Sequence, residues 1–385
     1  MACLRQILRS GLQVVPSRQI KPRTVKAFER SFTMTNSDFK KFNEPLSGLQ
    51  MARAGGIASM FRLPVQQNGE GLDVCFLGIP LDIGVSNRTG TRFGPRQIRT
   101  ESCLIRAFNN IGAAPYESLQ VADIGDVNIN LYDLKKACVD ITEYYRANVL
   151  PYNCIPLTLG GDHTLSYPVM KAVAEKHGPL GLVHIDAHAD TTDLMLGEPI
   201  AHGTPFKRCF DDNILDCKRV VQIGLRGSQY EGDPNKWQKD QGFRVVLAED
   251  CWHKSLVPLM AEVRQQMGSG PVYISFDIDA IDPGFAPGTG TPEIGGLTTI
   301  QALEAIRGCR GMNIVGGDLV EVPLWILPRQ LPVRKNVVLC RPGRQAADGA
   351  GCLHCRCLLV GEWEKAHQEV TFAFKGCFFT RSSPH

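Results

Sequence analysis

Residues able to ligate a metal, His163, Asp186, His188, Asp190, Asp277 and Asp279 among them, fall in three short segments, each directly after an apolar run. Gly160-Gly161-Asp162-His163 follows Ile155 to Leu159, Asp186-Ala187-His188-Ala189-Asp190 follows Leu182-Val183-His184-Ile185, and Asp277-Ile278-Asp279 follows Val272 to Phe276. The paired glycines let the backbone turn sharply and approach a neighbour closely. On an extended chain alternate residues point the same way, so Asp186, His188 and Asp190 should converge, and Asp277 and Asp279 repeat the pattern. Carboxylates crowded beside buried strands cannot all stay ionised unless positive charge accompanies them. Oxygen and nitrogen donors without sulfur, in this number, exceed what one tetrahedral zinc takes and suit a pair of harder ions such as Mn²⁺. Two such ions would balance the charge of Asp186, Asp190, Asp277 and Asp279. Taken singly, a D-x-D is commonly a solvated strand end and a lone histidine a satisfied core residue; three such motifs at successive strand ends point to a metal centre.

The elements that must carry these segments are legible as an alternation. Val74 to Ile79, Ile155 to Leu159, Gly181 to Ile185, Val220 to Gly224, Val272 to Phe276 and Ile314 to Leu319 read as strands, separated by amphipathic stretches such as Leu134 to Ala147, Tyr167 to Lys176, Val257 to Met267 and Thr299 to Gly308. This order predicts an α/β fold of three layers, α/β/α, around a mainly parallel sheet. In such sheets function gathers at the carboxyl ends of the strands. Internal repeats, a P-loop and a G-x-S-x-G elbow are missing, and the glycines of Gly288-Thr289-Gly290-Thr291-Pro292 do not fit a dinucleotide fingerprint.

The chain has 385 residues, 43% of them hydrophobic and 21% charged, enough to build a large core and too apolar for wholesale disorder. No run approaches the roughly 20 apolar residues that cross a bilayer. The 14 cysteines are too sparse for a disulfide scaffold, so free thiols in a reducing compartment are expected. The net charge of +3 is unevenly spread: residues 1–37 hold seven basic side chains against Glu29, leaving the rest of the chain mildly acidic. Leu4, Leu8 and Leu12 at four-residue spacing, Arg5 and Arg9 beside them and serines following read as a mitochondrial targeting segment over residues 1–40. A solvated basic arm is the plainer alternative. The remaining division is an N-terminal arm (41–69), a catalytic domain (70–321) and a C-terminal tail (322–385).

At these residues the sequence resembles the ureohydrolase family, the manganese enzymes, arginases and agmatinases among them, that split a guanidinium group into urea and an amine. The resemblance covers about residues 70 to 321. It includes Gly90-Thr91-Arg92-Phe93-Gly94-Pro95, the GGDH and D-A-H-x-D segments, and Ser275-Phe276-Asp277-Ile278-Asp279 running on to Pro283 and Pro287-Gly288-Thr289-Gly290-Thr291-Pro292. It implies an arginase-like fold and two Mn²⁺ per subunit. His163, Asp186, Asp190 and Asp277 would hold one ion, and Asp186, His188, Asp277 and Asp279 the other. A hydroxide between them would attack the guanidinium carbon, with Asp190 doubling as a catalytic carboxylate. His202 matches the family's proton-transfer histidine and Glu321 its guanidinium-binding glutamate. From residue type alone, His202 reads as a plain loop histidine and Glu321 as a surface acid. The match is nearest the agmatinase branch, which implies conversion of agmatine to putrescine and urea in mitochondria. It also implies a homo-oligomer, trimer or hexamer, with a small guanidino substrate and no nucleic-acid or membrane partner.

Substrate choice rests on the loop Thr191 to Ala201, which lacks the Asn- and Ser-rich character that holds an amino acid's polar head and so disfavours arginine. Asp193 or Glu198 could anchor the far amine of agmatine; a guanidino acid such as guanidinobutyrate is the rival. Two departures stand out. Ala189 replaces a small polar residue, and after Val322 the expected Ala- and Leu-rich final helix gives way to Pro323, Pro328, Pro332 and Pro342 and to five cysteines from Cys340 to Cys377. Cys352, His354, Cys355 and Cys357 lack the second half of a zinc ligand set. Such a tail reads as an alternative C-terminus, and it raises the contrary reading of an inactive or regulatory isoform with an exposed sheet face.

Overall fold

The computed structural model describes residues 42–108, 115–230 and 232–323. The targeting segment and the tail from residue 324 lie outside them. Eight strands, β1 (Val74–Gly78), β2 (Val121–Asp126), β3 (Ile155–Leu159), β4 (Leu180–Ile185), β5 (Leu215–Leu225), β6 (Arg244–Leu247), β7 (Pro271–Asp277) and β8 (Asn313–Val320), form one sheet in the order β2-β1-β3-β8-β7-β4-β5-β6. Every pairing is parallel. Helices α1 (Gly94–Glu101), α2 (Leu134–Asn148), α3 (Ser166–His177), α4 (Pro205–Asp211), α5 (Lys236–Asp240), α6 (Ala248–Cys251), α7 (Val257–Met267) and α8 (Thr299–Gly308) connect them. The three-layer α/β expectation is met, and the longer helices begin and end as their sequences direct. Asp133 caps α2 by accepting from the Lys136 N–H, Thr298 and Gln301 form a capping box on α8, and Gly268 follows α7 with a φ of 57°.

Period-2 alternation sorts the strand residues between two cores. Val183 and Ile185 of β4 and Val272, Ile274 and Phe276 of β7 face α7 and α8; Leu182 and Tyr273 face the other way, with Ile141 and Tyr145 of α2 and Val169 and Met170 of α3. Met60, Phe61 and Leu63, from the segment before β1, are buried in the first core. Two strands escape the sequence reading, β2 and β6, and both are sheet edges. β2 carries Asp123, Gly125 and Asp126, and β6 has four residues, so neither makes a run long and apolar enough to stand out. β5 also starts earlier than its apolar run, because Asp216, Lys218 and Arg219 occupy its outer end.

The chain lays down β1 to β3, crosses to β4 to β6, then returns to insert β7 and β8 between β3 and β4. The carboxyl ends of β3, β8, β7 and β4 are therefore neighbours, although their residues come from positions 159 to 320. All eight described cysteines are free. Among the described residues no helix is long and apolar enough to cross a membrane.

Candidate active site and metal centre

His163 sits at the middle of the cluster, fully buried in the turn after β3. Its Nε2 lies 2.8 Å from Ser275 Oγ, and that hydroxyl donates its only proton to Asp318 Oδ1 at 2.7 Å. Ser275 must then accept from His163, which places the ring proton on Nε2 and leaves Nδ1 bare in the neutral imidazole. Nδ1 faces Asp190 Oδ2 at 2.9 Å, Asp186 Oδ2 at 3.1 Å and Asp277 Oδ2 at 3.3 Å; burial opposes charge on the ring, but these carboxylates outweigh it and raise its pKa well above the ordinary value, so that without a cation a proton takes that place. These distances suit hydrogen bonds, but none meets the directional requirement, and Nδ1 has no such partner. Around an octahedral ion with bonds of about 2.2 Å, adjacent donor atoms lie about 3.1 Å apart. Each of the three oxygens thus stands from His163 Nδ1 at about the spacing of two ligands on a shared cation.

A second group adjoins the first. His188 Nδ1 is 3.1 Å from Asp279 Oδ2 and 3.5 Å from Asp186 Oδ1. Asp186 divides its oxygens, Oδ2 toward His163 and Oδ1 toward His188, the arrangement that a carboxylate between two ions would need. Backbone N–H groups orient the carboxylates: His188 N donates to Asp186 Oδ1 at 2.6 Å, Asp279 N to Asp277 Oδ1 at 2.8 Å, and Ala187 N to Asp279 Oδ1 at 3.1 Å. Left to themselves these groups relieve their repulsion with protons. Burial, then Asp279 and Asp186, push Asp277 well above the usual carboxylate range; burial opposes charge on His188, but Asp279 and Asp186 outweigh it and lift that group to about 12. Divalent cations would relieve the same repulsion, and the donor set of four carboxylates and two imidazoles fits a pair of them.

The route to convergence differs from simple alternation. β4 stops at Ile185, and Asp190 returns toward His163 through a left-handed turn, φ 51°, with its carbonyl held by Phe206 N at 3.1 Å. Asp277 likewise caps a single 3₁₀ turn over Ile278–Ala280 rather than continuing a strand. The extended reading fails because the carboxylates capture nearby backbone N–H groups and curl both segments. Gly160 and Gly161 serve close approach: a Cβ on Gly161 would lie 2.0 Å from Leu81 O, and one on Gly160 2.6 Å from Leu319 O.

Glu321 follows β8 with a φ of 57° and is buried, not the surface acid its type suggests. Its Oε1 accepts the His163 N–H at 2.9 Å, and its Oε2 faces Gly290. Burial, then Asp162, push its carboxyl well above the ordinary range, so a cation placed against it would be strongly welcomed. His202 is half-buried on the loop before α4, with Nε2 2.7 Å from Ser86 Oγ and its N–H bonded to Gly84 O at 3.0 Å. Asp162 ties down the loop after β1 that carries Gly84 and Ser86, by accepting from Gly84 N at 3.0 Å.

Several neighbours were not singled out from sequence. His184 donates toward Asp186 Oδ2 at 2.8 Å and touches Gln222; its signal was the two-residue spacing from Asp186 on the same strand face. Gln222 and Asp318 are polar residues inside apolar strand runs, a placement that demands buried partners. The two acids considered for an amine anchor are engaged elsewhere: Asp193 pairs with Arg208 and Lys207, and Glu198 with Lys135 at 3.4 Å. Arg88 is exposed beside the site; its guanidinium makes two long contacts, 3.3 Å to Pro287 O and 3.4 Å to Thr289 O, and among the described residues it has no carboxylate partner. Its own carbonyl borders Gly290, which in turn borders Glu321.

A parallel sheet that gathers carboxylates and imidazoles at four adjacent strand ends defines an α/β protein with a candidate metal centre, and comparison with known proteins specifies it. The Arginase family model matches residues 72–324. The chain is 65% identical to the mitochondrial agmatinase of Gallus gallus over 73% of its length and 83% of the relative's, and 63% identical to the mitochondrial guanidino acid hydrolase of Homo sapiens over 73% and 80%. The solved proclavaminate amidino hydrolase of Streptomyces clavuligerus superposes with a TM-score of 0.71 at 32% identity, covering 85% of this chain and all of that one. The chain belongs to the arginase family and is a ureohydrolase-type enzyme.

Proposed function

We propose that this enzyme binds two Mn²⁺ ions and hydrolyses a linear guanidino acid of the 4-guanidinobutyrate type to urea and the ω-amino acid. The observation that carries the metal reading is the convergence of three carboxylate oxygens on Nδ1 of His163. His163, Asp186, Asp190 and Asp277 would hold one ion and Asp186, His188, Asp277 and Asp279 the other. When bound, the ions supply Lewis acidity that brings water to a nucleophilic state at neutral pH. Asp190, at the edge of the cluster, can hold the proton that this water releases. Glu321 orients the guanidinium: the His163 N–H fixes one carboxylate oxygen, and the other is turned toward Gly290 to accept from the substrate. His202, with Ser86 holding its Nε2, delivers a proton to the departing nitrogen, so that the C–N bond breaks with a neutral amine as leaving group.

Substrate class turns on the far end of the ligand. Asp193 and Glu198 are occupied by cations, which weakens the case for a second amine, while Arg88 offers a guanidinium fork suited to a carboxylate. Agmatine, giving putrescine and urea, is the second reading, favoured by the 65% identity to a protein named agmatinase. Urea release from 4-guanidinobutyrate, agmatine and arginine by the Mn²⁺-loaded full chain tests this. Turnover dominated by the guanidino acid is expected, and dominant turnover of agmatine or arginine would overturn the choice. Metal analysis of the same sample separates both from the inactive-isoform reading, which requires a metal-poor, inactive chain. The Arg-rich leader and the mitochondrial relatives support a mitochondrial address, and the family supports a homo-oligomer.

A further inference from the structure

A row of buried polar residues crosses five adjacent strands directly beneath the cluster. Strand register places Thr158 of β3 beside Asp318 of β8, Asp318 beside Ser275 of β7, Ser275 beside His184 of β4, and His184 beside Gln222 of β5. All five are at most 1% exposed. A polar row in the middle of a sheet is costly unless every member has a partner, and here the partners run in defined directions. Asp318 receives hydroxyls from Ser166 at 2.7 Å, Tyr273 at 2.8 Å and Ser275 at 2.7 Å. Gln222 Nε2 lies 2.7 Å from Ala189 O and 2.9 Å from His184 Nδ1. The Ala189 carbonyl can only accept, which identifies the facing atom of Gln222 as its amide nitrogen, even though Oε1 then has no hydrogen-bond partner. Its other N–H therefore meets a bare Nδ1 on His184, and the proton of that ring sits on Nε2, aimed at Asp186 Oδ2.

Position alone makes His184 a possible ligand, because its ring, His163 and Asp186 present donor atoms within 4.8 Å of one another. We propose that this polar row assigns opposite roles to two adjacent histidines: Asp318 acting through Ser275 makes His163 an acceptor toward the metal centre, while Gln222 makes His184 a proton donor to the shared carboxylate of Asp186 and so bars it from ligation. Gln222 is then a positioning residue with two functions. It sets the His184 tautomer, and by holding the Ala189 carbonyl it secures the turn that returns Asp190 to His163. Ala189, whose methyl can make no hydrogen bond, is thus held through its backbone carbonyl.

The proposal rests on the dimetal reading and is tested by Mn²⁺ titration of the full chain, following free Mn²⁺ by electron paramagnetic resonance. Gln222→Glu is nearly isosteric but presents acceptors to both His184 and Ala189, whereas Gln222→Leu removes the donor without reversing it. Gln222→Glu should weaken Mn²⁺ binding by about 10–100-fold, and by more than Gln222→Leu does, because it forces the ring to present a bare Nε2 to Asp186. A structural role alone would instead rank the two by thermal stability. His184→Gln keeps an N–H in the place of Nε2 and should retain two ions, while His184→Leu should not. Wild-type affinity in Gln222→Glu, or equal loss in both His184 variants, would overturn the proposal. If the wild-type chain itself bound no Mn²⁺, the dimetal reading would fail first, and the two failures are thereby distinguished.

Discussion

Gly161→Ala should disable the metal centre without removing a single ligand. The added methyl would sit 2.0 Å from Leu81 O, 2.6 Å from Leu81 N and 2.8 Å from Leu81 C. Non-bonded carbon contacts need about 3.5 Å, so the two backbones must separate by about 1 Å or more. Leu81 cannot easily yield, because its carbonyl takes the Asp162 N–H at 2.8 Å and the Thr91 hydroxyl at 3.2 Å, and its N–H bonds Ile79 O at 2.9 Å. The displacement therefore falls on Asp162 and His163, whereas metal–ligand distances tolerate about 0.2 Å. Overpacking of this kind costs about 1–3 kcal/mol of stability, and a 1 Å misplacement of reacting groups costs about 100-fold in rate. The assay pairs Mn²⁺ stoichiometry and urea release with a thermal melt. A folded Gly161→Ala protein that binds two ions and turns over within about threefold of wild type would refute the close-packing account of the GGDH turn.

Other perturbations separate the roles assigned around the cluster. His202→Asn should lower kcat by about 10²–10⁴-fold while leaving Mn²⁺ stoichiometry at two, as measured by urea release beside metal analysis. Arg88→Ala should reduce kcat/KM for 4-guanidinobutyrate by about 10–100-fold, the worth of about 1.5–3 kcal/mol for hydrogen bonds to a charged group, and should leave agmatine turnover nearly unchanged. Asp186→Asn should reduce binding of both ions, since its two oxygens face both groups, whereas Asp190→Asn should affect only the ion beside His163; metal titration of the two variants distinguishes these outcomes. Saturation with Mn²⁺ at 100 times its Kd should stabilise the fold by about 2.7 kcal/mol per site, so chelation should lower Tm by several degrees in a differential scan.

The sequence by itself determined the class of fold and where the candidate site lies. Carboxylates and histidines placed after apolar runs pointed to a cation and to a sheet whose strand ends lie together, and the six central strands were readable because each is a short run of β-branched and aliphatic residues buried on both faces. The edge strands β2 and β6 were not readable, since an edge carries less apolar burial and tolerates Asp and Gly. The order in which strands lie side by side is a property of crossovers, and only the tertiary structure sets β8 and β7 between β3 and β4, bringing Glu321 beside His163 across 158 positions of sequence. Tertiary structure also decided conformation within the motifs: Asp190 and Glu321 reach the site through left-handed backbone that neither residue favours alone, held there by Phe206 N on one and His163 N on the other. Residue types cannot disclose which of two neighbouring histidines presents a lone pair and which a proton. That depends on which atom lies against each ring: the carboxylate-bound hydroxyl of Ser275 meets His163 from the turn after β3, and the amide N–H of Gln222 is set beside His184 by the register of β4 and β5.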